Sequence, residues 1–474
     1  MKIRLLLICV LLFQNSFYAQ ETKKPRVIIL SDIEADPDDT QSFVRLFLYS
    51  NEIDLKGLIA TTSCWHKNSV NPESIKKVVD AYGKVQPNLL KHSPEFPTAK
   101  YLESLISKGL PKYGMEGVGE GLDSEGSELI IKELEKDDNR PLYIPTWGGV
   151  NTLAQSLFKI RKTQTKAKQK EMIAKLRVYT ISDQDDSGYW IRDNFPDLFY
   201  IVTPTDDYGI ATWSAINMYV KGIDNNSIKN QWFAENIQQG HGALGAAYPN
   251  VSWGVEGDTP SFLFLIPNGL NNPEHPNWGG WGGRYEYYKP NIADFKDGSS
   301  DVPLKAETRN IWTNASDTYN RYIDNDYGRA VKKDTTTFKG NKVTLWRWRD
   351  DFQNDFAARM DWCIKSFEEA NHKPVIKINR EDQFTVKSGQ GFGIDAFESF
   401  DPDGDSISFL WYAYPEAGTS EVPIKIGQPE NAHQVYLTAP KVNKKATAHI
   451  ILEVSDKGEP KLKSYKRIII TIEP

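Results

Sequence analysis

The chain has 474 residues and a formal net charge of −6 at pH 7. This length favours two domains over a single hydrophobic core, and the lack of a basic face argues against nucleic acid and anionic membranes as partners. Two cysteines beyond the N-terminal segment, Cys64 and Cys363, could form a disulfide or remain separate buried thiols.

Residues 1–19 show the three parts of a secretory signal. Lys2 and Arg4 supply the positive charge, residues 5–13 form an apolar core, and the small residue Ala19 ends the cleavage region. The apolar core is too short to span a membrane, and no later stretch reaches spanning length. We therefore expect cleavage next to Ala19 and export of the mature protein, which would be periplasmic or secreted.

From residue 23 to residue 371, short apolar runs alternate with longer segments of helical spacing. The predicted strands are Val27–Leu30, Leu55–Ala60, Leu142–Pro145, Arg177–Ile181 and Leu198–Val202. The predicted helices are Asp39–Tyr49, Pro72–Tyr82, Gly126–Glu135, Thr152–Arg161 and Asp355–Ala370. Residues 162–175 are expected to form a solvated helix or an insertion. The alternation predicts an α/β domain over residues 23–371, with a mostly parallel sheet and flanking helices.

The loop after the first predicted strand concentrates acidic residues. Five lie within eight positions: Asp32, Glu34, Asp36, Asp38 and Asp39. In open α/β sheets, ligands bind beyond the carboxyl ends of the strands, which is where this loop would lie. Neighbouring carboxylates repel one another unless a cation lies among them or some are protonated. A solvated acidic turn that caps the next helix is the alternative, but the strand–acid–helix order favours a cation site.

Two later segments carry candidate polar ligands and acid–base groups. Asp185 and Asp186 could contact sugar hydroxyls or only cap a loop. His241 lies between two glycines and could act as a general acid near neutral pH. A lone histidine in this setting is more often structural.

An aromatic and glycine-rich string follows, Trp278-Gly-Gly-Trp281-Gly-Gly-Arg284. Glycines let the backbone approach a ligand closely, indoles stack on sugar faces, and Arg284 could form paired hydrogen bonds with hydroxyls or a carboxylate. The alternative is a packed loop whose indoles belong to the core. The residue types leave both interpretations open.

Beyond residue 373 the pattern changes to the two-residue period of half-exposed strands. The predicted strands are Val375–Ile378, Ile407–Tyr414, His449–Val454 and Arg467–Ile472. Separated by Gly- and Pro-bearing turns, they predict an immunoglobulin-like β-sandwich over residues 373–474. The loop Asp401-Pro402-Asp403-Gly404-Asp405 has calcium-loop spacing but lacks the bidentate glutamate of a helix–loop–helix site, so a polar turn is the favoured interpretation.

The first acidic loop resembles the aspartate-rich signature of nucleoside hydrolases, Asp-x-Asp-Pro-Gly-x-Asp-Asp, which follows the first strand in that family. Those enzymes hold a calcium ion that binds the ribose diol and the attacking water. The resemblance implies that Glu34 is a calcium ligand and general base, that Asp38 contacts the sugar, and that Asp39 is a bidentate calcium ligand. This sequence has glutamate in place of the second aspartate and Ala35-Asp36 in place of Pro-Gly.

Two further segments extend the resemblance. Trp147–Ala154 is similar to the family's Gly-Pro-Leu-Thr-Asn-Leu-Ala segment, which implies a backbone carbonyl ligand at Asn151. Trp253–Pro260 parallels the family's late His-Asp-Pro segment, which implies that Asp258 is the last calcium carboxylate. Gly257 takes the place of the family's histidine.

The whole mature chain resembles a secreted bacterial family of cellulose-binding proteins with a nucleoside hydrolase-like domain and a C-terminal immunoglobulin-like domain. The segments that carry this resemblance are Ser31–Asp39, Gln184–Trp190, His241-Gly242, Glu256–Ser261 and Trp278–Tyr285. Together these segments imply substrate contacts from Asp38, Asp185, Asp186, Trp190, Trp278, Trp281 and Arg284.

We therefore expect an exported, calcium-dependent, glycosidase-like hydrolase that cleaves a glycosidic or N-glycosidic bond. Its calcium ligands would be Glu34, Asp39, Asp258 and the Asn151 carbonyl, with Glu34 as the base and His241 as the first candidate for the leaving-group acid. The alternative is a non-catalytic binder of carbohydrate, such as a cellulose-type polysaccharide, that keeps the metal pocket. A third interpretation is a degenerate site that binds only structural calcium. The expected partner is a carbohydrate or nucleoside-like small molecule or a polysaccharide, and the chain could form oligomers.

Overall fold

A computed structural model describes residues 24–296, 304–324 and 330–474. The predicted secretory signal, residues 1–19, lies outside the described residues. Within these ranges, none of the helices is both long enough and apolar enough to cross a membrane.

An eight-stranded sheet forms the centre of the N-terminal domain. Its strands are β1 (Arg26–Ser31), β2 (Asp54–Ala60), β3 (Ile106–Lys108), β4 (Leu142–Thr146), β5 (Leu176–Thr180), β6 (Phe199–Ile201), β7 (Tyr285–Tyr288) and β8 (Ile311–Asn314). They lie in the order β3-β2-β1-β4-β5-β6-β8-β7, and all neighbours are parallel except β8 and β7 at one edge. All six residues of β1 are buried. A parallel strand is covered on both faces, which explains the continuous apolar run Val27–Leu30 within β1.

Helices cover both faces of this sheet. In chain order they are α1 (Asp38–Leu48), α2 (Pro72–Leu89), α3 (Ala99–Ser104), α4 (Glu125–Glu135), α5 (Asn151–Thr163), α6 (Lys166–Lys175), α7 (Ser187–Asn194), α8 (Asn230–Phe233), α9 (Gly242–Ala246), α10 (Pro260–Leu263), α11 (Val343–Trp346) and α12 (Arg349–Asp361). Val27 and Ile29 of β1 belong to a core shared with α1, α2 and α12, whereas Ile28 and Leu30 belong to a core shared with α4 to α7. The predicted α/β fold with a mostly parallel sheet and flanking helices is therefore confirmed.

The helix predicted over Asp355–Ala370 has different bounds in the structure. The observed α12 ends at Asp361, and Ser366 then caps a separate 3-10 turn over Phe367–Glu369. Buried residues lie around most of α12 and include charged ones such as Arg359. Such a helix has no clear apolar stripe, so its ends do not show in the hydrophobic pattern.

Four short strands follow the central sheet and form two antiparallel pairs. They are β9 (Asp317–Tyr319), β10 (Tyr322–Asp324), β11 (Ala330–Lys333) and β12 (Phe338–Gly340), with β9 paired to β12 and β10 to β11. They lie in the irregular region between the last strand of the sheet and α11. The sequence pattern predicts none of them.

The C-terminal domain is a sandwich of two sheets. Its strands are β13 (Gln383–Lys387), β14 (Gly391–Asp395), β15 (Ser408–Ala413), β16 (Lys425–Gly427), β17 (Gln434–Thr438), β18 (Ala446–Ser455) and β19 (Lys463–Glu473). One sheet has the order β13-β19-β18-β15 and the other β14-β17-β16, and all neighbours are antiparallel except β13 and β19. Trp411 is buried in the core between them. The predicted immunoglobulin-like β-sandwich is confirmed, although Val375–Ile378 forms only a single bridge, from Val375 to Phe400.

The two cysteines of the described chain are buried and do not form a disulfide. Burial raises the pKa of both thiols, to about 12 for Cys64. The sequence left open whether Cys64 and Cys363 form a disulfide or remain separate, and the structure shows two separate buried thiols.

Candidate functional site

The acidic loop lies beyond the carboxyl end of β1, next to the first turn of α1. One carboxylate oxygen from each of Asp36, Asp38 and Asp39 lies within 4.8 Å of the others. Asp39 is buried and accepts a hydrogen bond from the Ser31 hydroxyl. The Asp38 backbone N–H donates to Asp36 Oδ1 at 2.9 Å. The loop therefore holds three carboxylates together at the edge of the sheet where α/β proteins bind ligands.

Two more buried carboxylates, Asp32 and Asp258, line the same cavity of about 370 Å³ as the acidic loop. Asp258 Oδ2 has no hydrogen-bond partner. Glycines provide the space for this arrangement: a Cβ on Gly148 would lie 2.7 Å from Asp32 Cγ, and a Cβ on Gly257 would lie 2.9 Å from Asp38 Oδ2. A methyl group at position 257, where nucleoside hydrolases have histidine, would therefore displace the end of the Asp38 side chain.

The buried carboxylates raise one another's pKa values. Burial is the largest cause at Asp258, and the charges of Asp38 and Asp39 add to it, so that its pKa is well above the usual value. Burial likewise raises the pKa of Asp32 to about 6. No lysine, arginine or histidine of the described chain is among the main causes of these shifts. Clustered carboxylates with an unpartnered buried oxygen fit a hard divalent cation, which prefers oxygen ligands.

Aromatic side chains form another part of the cavity lining. The lining includes Trp65, Trp147, Tyr208, Trp213 and Trp253. Trp65 Nε1 donates to the Tyr208 hydroxyl at 3.1 Å, and Trp213 Nε1 donates to Ser182 Oγ at 3.1 Å. Trp65 is 52 % exposed, whereas Trp213 is buried and packs against Tyr208. Trp253 is 97 % exposed and has a φ of 66°. Exposed or cavity-facing indoles beside acidic groups are typical of sites for sugar rings.

Lys342 is the cationic side chain of the described cavity lining. Its Nζ donates to Ser214 Oγ at 2.8 Å. Burial lowers the pKa of Lys342, opposed in part by the charge of Asp207. The cavity thus combines an acidic wall with one amino group that could exchange a proton with a ligand.

The structure does not bring Glu34 and His241 to this cavity. Glu34 has an exposed side chain and a φ of 81°, a left-handed backbone conformation within the acidic loop. His241 directly precedes α9, and its Nε2 lies 3.1 Å from Asp361 Oδ1 at the end of α12. The roles that the sequence assigned to these two residues, base and leaving-group acid, therefore have no support from their positions.

Asn151 and Asp185 form a buried hydrogen-bond network outside the cavity lining. Asn151 Nδ2 donates to the Lys112 carbonyl at 2.7 Å, and the Asn151 backbone N–H donates to Asp185 Oδ2 at 3.1 Å. Asp185 also accepts the backbone N–H of Ser187 at 2.9 Å, and burial raises the pKa of Asp185 to about 6. These two residues hold loops together, and neither is among the residues that line the cavity.

Asp186 and Trp190 also lie outside the cavity lining. The exposed Asp186 accepts the Met115 backbone N–H at 2.8 Å. Trp190 packs against Phe195, and the Arg161 guanidinium lies 5.0 Å from its ring centroid. Both residues thus make contacts within the fold away from the acidic cavity, and their predicted substrate contacts stay a prediction.

The Trp-Gly-Gly string lies at the junction of the two domains. Trp278 stacks on His275 with ring centroids 4.0 Å apart, and its edge faces His449 of the sandwich at 4.9 Å. Trp281 is buried against Tyr465 of the sandwich. Arg284 Nε donates to Asp317 Oδ1 at 2.6 Å, and this ion pair is buried. The packed-loop interpretation is therefore the one that the structure supports for all three residues.

Of the predicted site residues, the structure brings Asp38, Asp39 and Asp258 together in one cavity. Sequence reasoning missed the cavity positions of Asp32, Trp65, Trp147, Tyr208, Trp213, Trp253 and Lys342. Asp32 directly follows β1 and Trp65 lies in the loop after β2, so the rule that ligands bind beyond the carboxyl ends of strands could have identified them. Trp253 begins the segment Trp253–Pro260 that the resemblance singles out for Asp258, whereas Lys342 lies in an irregular segment with no comparable signal.

Comparisons with known proteins agree with this architecture. The family model described as cellulose-binding Sde182, nucleoside hydrolase-like domain, matches residues 26–285, and the model described as cellulose-binding protein Sde0182, C-terminal domain, matches residues 391–472. A solved structure of a nucleoside hydrolase-related hypothetical protein from Saccharophagus degradans, associated with carbohydrate metabolism, is 34% identical. That alignment covers 95% of this chain and 100% of the other, with a TM-score of 0.78.

Other similarities are weak. A PapD-like domain of human CEP192 and an endo-fucoidan hydrolase of glycoside hydrolase family 107 each align with 21% of this chain and with 83% and 13% of their own. Their identities are 12% and 15% and their TM-scores 0.17 and 0.15, which are too low to support an argument. No curated protein matched the chain. On the two family models and the 34% identical structure, the chain belongs to the Sde182 family, and it carries both the nucleoside hydrolase-like domain and the C-terminal domain that these models describe.

Proposed function

We propose that the acidic cavity is a calcium-dependent carbohydrate site. The observation that carries this proposal is the convergence of Asp258 with the β1 loop acids in one cavity, where Asp258 Oδ2 is buried and unpartnered. Asp39 and Asp258 would hold the ion, with Asp36 or Asp38 as a further ligand. When bound, Ca²⁺ supplies positive charge that offsets the carboxylate repulsion and open positions for two neighbouring sugar hydroxyls.

The side chains around this position indicate the class of ligand. Asp38 lines the cavity and would accept a hydrogen bond from a sugar hydroxyl, while Trp65 and Trp253 offer apolar faces to the C–H groups of a sugar ring. The family description names cellulose binding, and the 34% identical structure is associated with carbohydrate metabolism. Both support a polysaccharide chain as the ligand. The predicted export would bring the site to such a polymer.

Hydrolysis of a glycosidic bond is the second candidate function, and the position of Asp32 favours it. Asp32 is a buried carboxylate of the cavity lining, a position from which it can accept a proton from a water molecule in the cavity. Asp32 would take a proton from the attacking water as the water oxygen bonds to the anomeric carbon. The Lys342 ammonium would protonate the leaving oxygen as the glycosidic bond breaks. In this proposal Asp32 and Lys342 take the roles that the sequence assigned to Glu34 and His241.

Isothermal titration with cellohexaose tests the carbohydrate site. The comparison uses wild-type protein in Ca²⁺ and in EDTA, the variant Asp258→Asn, and the matched control Asp382→Asn. Asp382 is a surface aspartate of the sandwich that pairs with Lys466 at 2.7 Å. We expect binding in Ca²⁺ to weaken at least about tenfold in EDTA and in Asp258→Asn and to stay unchanged in the control. Equal affinity under all conditions would contradict the proposal.

Product analysis separates binding from hydrolysis. Wild type and Asp32→Asn are incubated in Ca²⁺ with a panel of glycosides and nucleosides, and released sugar is measured by chromatography. A hydrolase should lose turnover in Asp32→Asn while its saccharide affinity is retained. If wild type releases no sugar from any member of the panel, binding remains the proposed function and the hydrolytic role is excluded for that panel.

A further inference from the structure

A second group of oxygen ligands lies at the start of the sandwich, on segments separate from the acidic cavity. It combines Asn371 at the domain junction, the loop Asp401–Asp405, and Asp456 directly after β18. We propose that Asn371, Asp401 and Asp456 form a calcium site that connects the domain junction to two loops of the sandwich. The loop Asp401–Asp405, for which the sequence favours a polar turn, would then be part of a metal site.

Hydrogen bonds bring the three segments together. Asn371 Nδ2 donates to Asp456 Oδ2 at 2.9 Å, and the backbone N–H of the next residue, His372, donates to Asp403 Oδ2 at 2.6 Å. Asp401 Oδ1 in turn accepts the Asp403 backbone N–H at 2.9 Å. Two consecutive residues of the junction therefore contact both loops and bring Asp401 and Asp456 to the same region.

Two oxygen atoms of this group are buried and have no hydrogen-bond partner: Asn371 Oδ1 and Asp401 Oδ2. Asn371 and Asp401 are only 7 % and 8 % exposed. The orientation of the Asn371 amide is fixed because its Nδ2 donates both to Asp456 Oδ2 and to the Pro460 carbonyl, the latter at 2.8 Å. Buried oxygens without a donor cost free energy unless a cation or water binds them. Carboxylate and amide oxygens are both ligands that Ca²⁺ prefers.

The charge of the group also favours a cation. Burial is the largest cause that raises the pKa of Asp456, to about 6, and the charges of Asp401 and Asp405 add to it. His372 pairs with Asp403 at 2.9 Å, whereas no ion pair forms at Asp401 or Asp456 in the described part of the chain. A divalent ion bound to these oxygens would offset the charge of the carboxylates. Ca²⁺ suits ligands from irregular loops better than Mg²⁺, because Ca²⁺ accepts variable coordination whereas Mg²⁺ requires near-ideal octahedral geometry.

Calcium stoichiometry of the full chain tests this site and separates it from the acidic cavity. Metal-depleted wild type, Asp401→Asn, Asp258→Asn and the control Asp382→Asn are titrated with CaCl₂ in a calorimeter. Asparagine at position 401 keeps an oxygen for the backbone donors and removes the charge. We expect two equivalents of calcium in wild type and in the control, and the loss of one equivalent in each of the other variants.

The outcomes distinguish the two sites. Retention of both equivalents in Asp401→Asn would overturn the junction site. A single equivalent in wild type that only Asp258→Asn removes would overturn it as well and leave the acidic cavity in place. A single equivalent that only Asp401→Asn removes would support the junction site and overturn the calcium ion of the cavity.

Hydrogen exchange of the wild-type protein is a second measurement that needs no variant. Ca²⁺ should slow the exchange of peptides that span residues 399–406 and 455–462 at least about tenfold relative to EDTA, because a shared ion opposes the local opening of both loops. Equal exchange in Ca²⁺ and EDTA would overturn the site and indicate that water alone satisfies the two oxygens.

Discussion

The calcium-free protein should become less stable as pH rises, because the acidic cavity then holds ionised carboxylates. Burial, opposed in part by a hydrogen bond from Ser63, raises the pKa of Asp32 from 3.8 to about 6. Between these two pKa values the folded state binds more protons at Asp32 than the unfolded state does. The free energy of unfolding therefore falls as pH rises from about 4 to about 6. Above this range the contribution of Asp32 no longer changes with pH.

The size of this effect follows from the pKa difference. A rise from 3.8 to about 6 corresponds to about 3 kcal/mol, at about 1.36 kcal/mol per pKa unit. Between about pH 4.5 and about pH 7.5, about 2 kcal/mol of this should be observed, because the carboxyl of the unfolded chain is already mostly ionised at the lower pH.

Urea unfolding in EDTA at these two pH values measures the effect. The loss of stability on going to the higher pH should be about 2 kcal/mol smaller in Asp32→Asn than in wild type, and the control Asp382→Asn should behave as wild type. Saturating Ca²⁺ should oppose the loss in wild type, since the ion binds the ionised cluster and the folded state alone. An identical pH dependence in wild type and Asp32→Asn would refute the buried position of Asp32 among these acids.

Three further substitutions test the cavity and the domain junction. Trp253→Ala should leave calcium binding and stability unchanged but weaken cellohexaose binding about fivefold, measured by titration calorimetry, because the indole is exposed at the cavity; unchanged saccharide affinity would remove Trp253 from the site. Gly257→Ala should lower calcium affinity about tenfold, because the new Cβ would displace Asp38. Wild-type affinity in this variant would contradict the close contact between Gly257 and Asp38. Arg284→Met should destabilise the fold by roughly 1–3 kcal/mol in urea unfolding, because the buried Asp317 loses its nearest cation and keeps Arg347 at 3.4 Å and the Tyr414 hydroxyl. If Arg284→Met instead lost saccharide binding at wild-type stability, Arg284 would belong to the ligand site.

Some of the predicted site residues lie in the cavity of the folded chain, and others do not. The resemblance to nucleoside hydrolases implied the roles of Asp39 and Asp258, and the structure places both in the cavity. The same resemblance implied the role of Glu34. Its direction depends on the backbone conformation of the loop, and the φ of 81° at this residue has no signature in the residue types.

The other predicted binding residues make packing contacts with parts of the chain that are distant in sequence. Trp278, Trp281 and Arg284 have the residue types of a sugar site, but a second domain packs on them, and the sequence pattern of one domain does not show where another will dock. His241 likewise forms its contact with Asp361, which is 120 positions away. Long-range contacts of this kind decide between a binding role and a packing role, and they become visible only in the folded chain.

Both proposed calcium sites predict that the fold is more stable in a calcium-rich compartment than in one with little calcium. The ionised cavity costs about 3 kcal/mol through Asp32 alone, a substantial share of the roughly 5–15 kcal/mol that typically stabilises a fold. The unpartnered oxygens of Asp258 and Asp401 add to this cost when no cation is bound. Calcium sites of extracellular modules commonly bind with dissociation constants of about 10⁻⁴ to 10⁻³ M, so even weak sites fill in a calcium-rich medium. The predicted export would therefore move the chain from a compartment in which both clusters are destabilising to one in which calcium binding stabilises the fold.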